Sequence, residues 1–546
     1  MTRREALASA LFVFVVAVAV RTFFAAQIVF PKPEDTAYYV GVARNLLEGR
    51  GLVSDALWSY ATPPLVFPRP AFEVWLPLPT LLAAIPMAIL GTTFAAAQVS
   101  SVLIGALIPV LLWQLARDVS VERGFSAVRT RWVALGAGLT AAAYLPLVLN
   151  SALPDSTMLF AVIVLLACML MTRVAADPQG GRPTDLRLLG LGVLLGLGAL
   201  TRNETVWLAL IWLVMAWRAG RDVRERARLV GVVAVVALVV FAPWAYRNVT
   251  VFGSPLPGQA VTNALYLSGY DIFAWNDPPT LARHLALGPL GLVELRVAGV
   301  THNLFNVLVL LGMPVSVLGI LALPWQGRDR ATRPLVVISL LMFLITSLVF
   351  PAATQWGTFL HAAGPVHALV VLSAILAVDA GLARLGSRLG WTKSVSWVGA
   401  AGLAAVSLLY SAALLPSFGT GSRATAAMYE ELGSRMRAAG HPLDVPGLRV
   451  ITNFPIWMAE TERVSSLALP DEPPEDVLHL ASTFGAGTRY LILISPEGKH
   501  WPADLHAGLP GSECFSPLDL GRFAGPGDDP LQSTTAYEIG CPGSAP

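Results

Sequence analysis

Charged residues, and lysine above all, are scarce in this chain. Of its 546 residues, 13% are Asp, Glu, Lys or Arg and 55% are hydrophobic, and lysine occurs only at positions 32, 393 and 499. A soluble globular domain carries roughly a quarter charged residues. The composition therefore excludes that class and indicates a polytopic membrane protein. The formal net charge of +2 gives no sign of a nucleic-acid partner.

Cysteine and the familiar catalytic signatures are also sparse. The chain has no Walker loop, glycine-rich dinucleotide turn, HExxH, CxxC or GxSxG motif, which excludes the chemistries that depend on them. Cys168 lies in an apolar segment, whereas Cys514 and Cys541 share the C-terminal region. If that region is outside the cell, we expect these two to form a disulfide contributing roughly 3 kcal/mol.

Long apolar segments are abundant. A membrane-spanning helix needs about 20 such residues, and eleven segments are predicted to cross: 6–30, 94–116, 132–150, 156–172, 187–201, 205–217, 229–246, 300–323, 334–350, 364–383 and 395–415. The apolar segment 71–91 is omitted because Pro77, Pro79 and Pro86 would interrupt a spanning helix. It is predicted to be a juxtamembrane or re-entrant helix.

Arginine follows every second crossing. These loops carry Arg117, Arg123, Arg129 and Arg131; Arg173, Arg182 and Arg187; Arg218, Arg221, Arg224, Arg226 and Arg228; Arg328, Arg330 and Arg333; and Arg384, Arg388 and Lys393. The positive-inside rule places them in the cytoplasm. The N-terminus is then inside, and the C-terminal region outside.

The alternation also predicts the domain organisation. Residues 1–418 form the membrane domain, with long outer loops at 31–93 and 247–299. From 419 to 546 the composition is that of a soluble protein, and strand-like LRVITN, VSSLAL and RYLILIS alternate with helix-like segments. Such alternation indicates a small α/β domain.

Two acidic residues stand at the outer ends of predicted crossings. Asp35 follows the first crossing, beside Glu34, and Asp155 opens the fourth crossing. Each aspartate suits a helix N-cap, and Glu34 is a like charge that would raise a neighbouring carboxyl pKa. Because both aspartates lie at the same membrane edge, they are also candidates for a general base or for joint binding of Mg²⁺ or Mn²⁺. Whether a metal takes part stays open at this stage.

Isolated polar residues lie at the same edge. Arg202 and Glu204 could pair with each other, and Arg247 could be an interfacial anchor beside aromatic residues. Arginine is disfavoured outside, however, and its planar fork matches phosphate oxygens. Arg202, Arg247 and Arg69 are therefore candidates for binding a phosphate, and Lys32 is a further cation nearby. Further site candidates are His361, which could equally be structural, and Gln355.

Several motifs resemble those of one family. PEDTAYYVGVARNLLEGRGL resembles the first outer loop of the GT-C membrane glycosyltransferases, particularly the bacterial family 39 and aminoarabinose-transferase type. LPDSTML, ALTRNE and PWAYRNVTVFGSPL resemble the acidic motif, the short basic turn and the large-loop motif of the same family. The resemblance covers most of residues 1–415. The residues of the first motif that match are Glu34, Asp35, Tyr39, Ala43, Leu46, Leu47, Gly49 and Gly51.

The resemblance implies a GT-C helical bundle with Asp35 as the carboxylate that activates the acceptor. It implies transfer of a sugar from a polyprenyl-phosphate carrier to a hydroxyl of a lipid, glycan or protein on the outer face of a bacterial cytoplasmic membrane. One departure is Arg69-Pro70, where the family often has a lysine-proline pair.

Two other functions remain open from the sequence. A transporter or flippase would usually place charges near mid-membrane or show inverted repeats, and neither is visible here. A non-catalytic subunit would not require polar residues from five outer loops. We therefore expect an enzyme.

Overall fold

The protein is mostly helical, with one small sheet. The computed structural model describes residues 2–258, 260–495 and 500–541. The α-helices are, in chain order, α1 Arg3–Ala25, α2 Glu34–Leu47, α3 Leu78–Leu90, α4 Phe94–Glu122, α5 Ala127–Ala143, α6 Leu145–Ser151, α7 Ser156–Ala176, α8 Arg182–Ala199, α9 Thr205–Ala219, α10 Val223–Phe252, α11 Ala260–Ala264, α12 Leu281–Ala286, α13 Gly288–Thr301, α14 Val315–Ala322, α15 Arg333–Leu348, α16 Thr358–Ala362, α17 Gly364–Arg388, α18 Ser396–Ala438, α19 Pro455–Glu462, α20 Pro474–Thr483 and α21 Ala503–His506.

The helices confirm a polytopic membrane protein. Seven described helices are long and apolar enough to span, and α5 with α6, bent by 54°, makes an eighth. Eleven crossings were predicted. The difference comes partly from α9 and α15, which are apolar but shorter than a full span. The segment at 71–91 forms only the 13-residue helix α3.

The segment predicted at 300–323 is divided differently. The apolar span candidate begins at Gly288, inside the expected outer loop 247–299, and ends at Gly312. It includes the π-helical turn His302–Val309, and α14 begins only after Pro314. Proline lacks the N–H that a continuous helix would use.

The arginine-rich loops meet one another at one end of the bundle. Arg123 pairs with Asp329 at 2.6 Å and Arg129 with Asp379 at 2.6 Å. Arg173 pairs with Asp118 at 3.4 Å, and Arg228 pairs with Asp185. These ion pairs neutralise positive charges that would otherwise repel one another. They therefore hold the arginine-rich end of the bundle together.

Helix burial separates the centre of the bundle from its periphery. In the apolar stretches of α7 and α17, 67% of the residues are buried inside the protein. The corresponding share is 22% in α1 and 17% in α10. Apolar side chains left uncovered on α1 and α10 suit contact with lipid. The central pair α7 and α17 therefore forms the rigid core against which the site is built.

The strands are β1 Val53–Ser54, β2 Ala56–Leu57, β3 Arg69–Pro70, β4 Arg449–Thr452, β5 Ser465–Ala468, β6 Thr488–Ile494, β7 Phe515–Leu518 and β8 Thr534–Ile539. β1 and β3 form a small antiparallel pair, and the six others form one sheet in the order β2-β5-β4-β6-β8-β7. β2, β5, β4 and β6 are parallel, and β8 and β7 are antiparallel additions. The predicted small C-terminal α/β unit is therefore present.

This sheet includes a strand from the first outer loop. Leu57 of β2 is in register with Leu467 of β5, and the edge of the C-terminal sheet is thus completed by residues near the N-terminus. The expected division at residue 418 falls inside the 43-residue helix α18. A disulfide joins Cys514 and Cys541 at the opposite side of the sheet.

Candidate active site

A cavity of about 670 Å³ lies where the segments predicted to be outer loops meet. Its walls come from the start of α2, the segment 72–76, the turn 201–204, the loop 256–273, the α15–α16 region and residues 454–457 of the C-terminal unit. Most of the lining residues are apolar, many of them aromatic, and the charged residues are few. A large, mostly apolar cavity with a few convergent polar groups is the usual form of a ligand site.

Asp35 lies in the first turn of α2, where the helix dipole favours an acidic side chain. Its Oδ2 accepts a hydrogen bond from Trp75 Nε1 at 3.1 Å and lies 3.3 Å from His361 Nε2. Burial raises the pKa of Asp35, while the charges of His361 and Arg202 oppose the rise and that of Asp155 adds to it. A carboxylate with a raised pKa, at the wall of a cavity, is suited to accept a proton.

Asp155 is the N-cap of α7. Its Oδ1 accepts from the Thr157 backbone N–H at 2.7 Å, and its Oδ2 lies 3.5 Å from His361 Nδ1. The same ring nitrogen is 2.9 Å from Thr157 Oγ1. The cap and a place in the polar cluster are therefore compatible roles for Asp155.

His361 lies between the two aspartates. Burial disfavours its charged form, yet the negative charge of Asp35 and the contact with Asp155 outweigh burial and raise the pKa of His361. The sequence alone indicated that His361 could be either a site residue or a structural residue. The structure brings it together with Asp35 and Asp155, which come from segments far apart in the chain.

Arg202 reaches the cluster from the turn between α8 and α9. Its Nη2 donates to Glu204 Oε1 at 2.6 Å and its Nη1 donates to Ser156 Oγ at 3.0 Å. The side chains of both Arg202 and Glu204 are mostly buried, and both line the cavity. Tyr39 is buried beside them, and burial followed by the Asp35 charge raises the pKa of its hydroxyl. The predicted Arg202–Glu204 pair is thus present within the site.

Glu34 faces away from Asp35, toward the C-terminal unit. Its Oε1 accepts from the backbone N–H of Ile456 at 3.0 Å and of Trp457 at 3.4 Å, at the start of α19. At the other end of α2, Arg44 pairs with Glu460 of the same helix α19. Two ties between α2 and α19 therefore fix the helix that carries Asp35.

Four of the sequence candidates lie outside the cavity wall, namely Asp155, which contacts His361 from behind it, and Arg69, Arg247 and Gln355. Arg69 is fully buried, donates to the backbone carbonyls of Ser59 and Thr62, and pairs with Glu73 at 3.2 Å. Arg247 contacts aromatic rings of its own helix and forms no ion pair with a described residue. Gln355 faces a separate surface depression beside His302.

The residues present do not suit a divalent ion shared by Asp35 and Asp155. The His361 ring stands between the two carboxylates, whereas Mg²⁺ and Mn²⁺ require oxygen ligands gathered around one point. Among the described ranges of the chain, no three His, Cys, Asp or Glu side chains are grouped to hold a metal ion.

Other cavity residues were not singled out from the sequence. Trp75, which bonds to Asp35, and Trp58 and Glu73 all come from the first outer loop. For Glu73 and Trp75 the signal was present in AFEVW, where an acidic residue and a tryptophan interrupt an apolar segment. Phe454, Ile456 and Trp457 could not be assigned because they reach the cavity only through the fold.

Comparison with known proteins identifies one family profile. The family described as dolichyl-phosphate-mannose-protein mannosyltransferase matches residues 69–246. A search of curated protein sequences gave no match.

Solved structures share the fold. ArnT from Cupriavidus metallidurans, bound to undecaprenyl phosphate, is 13% identical, with a TM-score of 0.55 over 97% of each chain. The archaeal oligosaccharyltransferase AglB from Archaeoglobus fulgidus, in complex with an inhibitory peptide and a dolichol-phosphate, is 14% identical, with a TM-score of 0.56 over 94% of this chain and 72% of that one. At sequence identities of 13% and 14%, these comparisons show that the proteins share a fold.

Proposed function

We propose that this chain is a GT-C membrane glycosyltransferase that transfers a sugar from a polyprenyl-phosphate carrier to an acceptor hydroxyl. The family profile over residues 69–246 and the fold shared with ArnT support the proposal. The acceptor hydroxyl belongs to a lipid, a glycan or a protein, and the reaction takes place on the outer face of a bacterial cytoplasmic membrane. The observation that carries the proposal is the position of the Asp35 carboxylate, which shares one large cavity with Arg202.

In this mechanism Asp35 is the general base. An alcohol is too weakly acidic to ionise before it reacts, so a positioned carboxylate must take its proton in the transition state. The acceptor oxygen forms a bond to the anomeric carbon as the bond from that carbon to the phosphate oxygen breaks. The polyprenyl phosphate leaves with the electron pair, and the proton remains on Asp35. Trp75 and His361 hold the carboxylate in place.

Charge that develops on the leaving phosphate needs nearby donors. Arg202 is our candidate, because it lines the cavity and its guanidinium is fixed by Glu204, Ser156 and the Thr358 carbonyl. Arg247 is the second candidate, since its neighbour Asn248 lines the cavity and it has no acidic partner among the described residues. We assign Arg69 a structural role, because its guanidinium donates to two backbone carbonyls and forms an ion pair with Glu73.

The isoprenoid chain requires an apolar path from the membrane. Val206 and Trp207 of α9 and Met342 and Ile345 of α15 supply such a surface on one side of the cavity. Residues 454–457 of the C-terminal unit also line the cavity. We propose that the donor lipid extends along α9 and α15, and that the described part of the C-terminal unit closes a site whose chemistry belongs to the membrane domain.

The direct test is the lipid that accumulates when the protein is absent. Membranes lacking the protein should accumulate one polyprenyl-phosphate sugar, and restoring the chain should return that lipid to its normal level. Identical lipid profiles with and without the protein would contradict a lipid-linked donor.

Sidedness is tested separately by cysteine labelling. Ser126 and Gln355 are exposed and lie at the two opposite ends of the bundle. A membrane-impermeant thiol reagent added to intact cells should label Gln355→Cys and spare Ser126→Cys. The reverse pattern would place the site in the cytoplasm.

A further inference from the structure

The segment made of α12, Leu287 and α13 exposes an apolar ridge. Within this segment, every residue of which the structure describes, only His284 and Gly299 are buried. The ridge consists of apolar side chains that are each 42% to 71% exposed, namely Leu281, Leu285, Leu287, Leu290, Val293 and Val297. One exposed leucine is ordinary in a folded protein, but a series of this kind forms a surface that normally has a partner.

The exposed side of α13 has an apolar strip and a polar strip. At about 100° per residue, the ridge residues of α13 fall on one strip, and Glu294, Thr301 and His302 fall on the neighbouring strip. These three polar residues line the surface depression that Gln355 also faces. A helix divided in this way suits a membrane surface, with its apolar strip toward the acyl chains and its polar strip toward the headgroups.

The ridge is continuous with a surface that faces lipid. α13 is the first part of the span candidate Gly288–Gly312, and Phe305, farther along this span, is also exposed. Gly299 packs against the end of α15, where an added Cβ would lie 2.8 Å from the Ser347 carbonyl oxygen. The same end of α15 carries the cavity residue Ile345. The ridge therefore lies at the cavity end of the bundle.

α12 precedes this span candidate and is fastened to the cavity wall. Arg283 Nη2 pairs with Asp271 Oδ1 at 2.9 Å, and His284 Nδ1 lies 3.1 Å from the Leu265 carbonyl oxygen. The other carboxylate oxygen of Asp271 accepts a hydrogen bond from the backbone N–H of Leu267 at 2.6 Å. These contacts join α12 to the segment 265–273, which lines the cavity through Tyr266, Gly269, Ile272 and Phe273.

We propose that the apolar ridge lies among the acyl chains of the membrane leaflet at the cavity end of the bundle, and that this contact holds the segment 265–273 in the cavity wall. The acyl chains cover the leucine and valine side chains, and the headgroups reach the polar strip of α13. Withdrawal of the ridge from the bilayer would expose its apolar surface to water. α12 therefore stays at the membrane, together with the cavity segment that it binds.

Spin labels measure the environment of the ridge. Leu281→Cys, Leu285→Cys and Leu290→Cys are labelled in the full chain, in nanodiscs of phosphatidylethanolamine and phosphatidylglycerol. The native cysteines are buried or joined in the disulfide. Val445→Cys is the matched control, because Val445 is an apolar residue of the C-terminal unit with 47% exposure. We expect the ridge labels to collide more often with O₂, which concentrates among acyl chains, than with a water-soluble nickel chelate. The control label should show the opposite order.

Hydrogen exchange measures whether the ridge holds the cavity segment. The double variant Leu281→Gln and Leu285→Gln removes two ridge side chains, keeps a good helix former at both positions and leaves Arg283 and His284 in place. Burial of one leucine is enough to shift a local opening equilibrium by more than about tenfold. Exchange at the amides of residues 265–273 should therefore rise at least about tenfold in nanodiscs, whereas Val445→Gln should leave it unchanged.

Three results would overturn the inference. The first is a ridge label with the same preference for the nickel chelate as the control label. The second is exclusion of both reagents together with dipolar coupling between labels, which would show that a second copy of the chain covers the ridge. The third is unchanged exchange of residues 265–273 in the double variant. Neither measurement requires sugar transfer, so a failure here is distinguishable from a failure of the proposed function.

Discussion

Trp75 donates one hydrogen bond to Asp35, and this bond opposes the rise in the Asp35 pKa that burial causes. Its Nε1 donates to Asp35 Oδ2 at 3.1 Å, which stabilises the charged carboxylate. Trp75→Phe removes this donor while keeping an aromatic ring in place. The pKa of Asp35, already raised by burial, should rise further. Because the base acts only when deprotonated, the acidic limb of the pH profile should move to higher pH.

The size of the shift follows from the strength of the bond. A hydrogen bond to a charged group contributes about 1.5–3 kcal/mol, and one pKa unit corresponds to about 1.4 kcal/mol. The Asp35 side chain is 25% exposed, so water replaces part of the lost bond. We therefore expect the lower end of the range, a shift of about one pH unit.

The assay is the pH dependence of kcat/KM for sugar transfer, and the measured quantity is the midpoint of the acidic limb. Trp207→Phe is the control, because Trp207 lines the same cavity and makes no hydrogen bond to a described carboxylate. Its midpoint should not move. A midpoint that stays unchanged or moves to lower pH in Trp75→Phe would refute Asp35 as the group responsible for that limb.

Three further predictions concern stability, donor binding and the outer loop. Replacing both Cys514 and Cys541 with Ser removes a disulfide that closes a loop with a sequence separation of 27. The free energy of unfolding of the C-terminal unit, measured by denaturant titration, should fall by about 3.5 kcal/mol. An unchanged unfolding midpoint would contradict this. Arg202→Gln should weaken undecaprenyl-phosphate binding by about 1.5–3 kcal/mol in calorimetry, and equal affinity would remove it from the phosphate site. The Glu472 carboxylate accepts hydrogen bonds from the backbone N–H groups of residues 275–277. Glu472→Ala should therefore speed hydrogen exchange at those three amides. Unchanged protection would show that other contacts hold this loop.

The spacing of arginine along the chain predicted that four polar residues lie at one end of the bundle, but it did not separate them from Arg69, Arg247 and Gln355, which lie outside the cavity wall. Charge sidedness depends on composition, and Asp35, Asp155, Arg202 and His361 do lie together at the end opposite the arginine pairs. The cap of α7 was predictable as well, because Asp155 caps it from its own sequence neighbourhood. The same prediction was wrong for Asp35, because α2 begins at Glu34 with Pro33 as its N-cap. Charge distribution and helix capping depend on residues that are close in the chain, so a single sequence is enough to make such predictions.

The partner of each charge was harder to predict. Arg69 was expected to bind a phosphate. Its guanidinium instead forms an ion pair with Glu73 and donates to two backbone carbonyls within its own loop. Glu34 was expected to tune its neighbour Asp35, whereas its carboxylate binds the start of α19. The latter contact joins residues more than 400 positions apart, and no local pattern records it.

Sheet assembly was beyond sequence reasoning for the same reason. The strands of the C-terminal unit were predictable from alternating β-branched and aromatic residues, but β2 consists of only Ala56–Leu57 and pairs with β5 through the tertiary fold. The short helices α9 and α15 were counted as spans because hydropathy does not reveal where a helix ends within an apolar segment.

The central claim is that Asp35 removes the acceptor proton, and sugar transfer by Asp35→Asn tests it most directly. Asparagine keeps the size of the side chain and can still accept from Trp75, so folding and donor binding should persist while turnover falls by at least about 100-fold. Asp155→Asn, measured at matched protein levels, provides the comparison, because asparagine also caps a helix. Near-normal transfer by Asp35→Asn, with loss only in Asp155→Asn, would contradict the account and assign the base to Asp155.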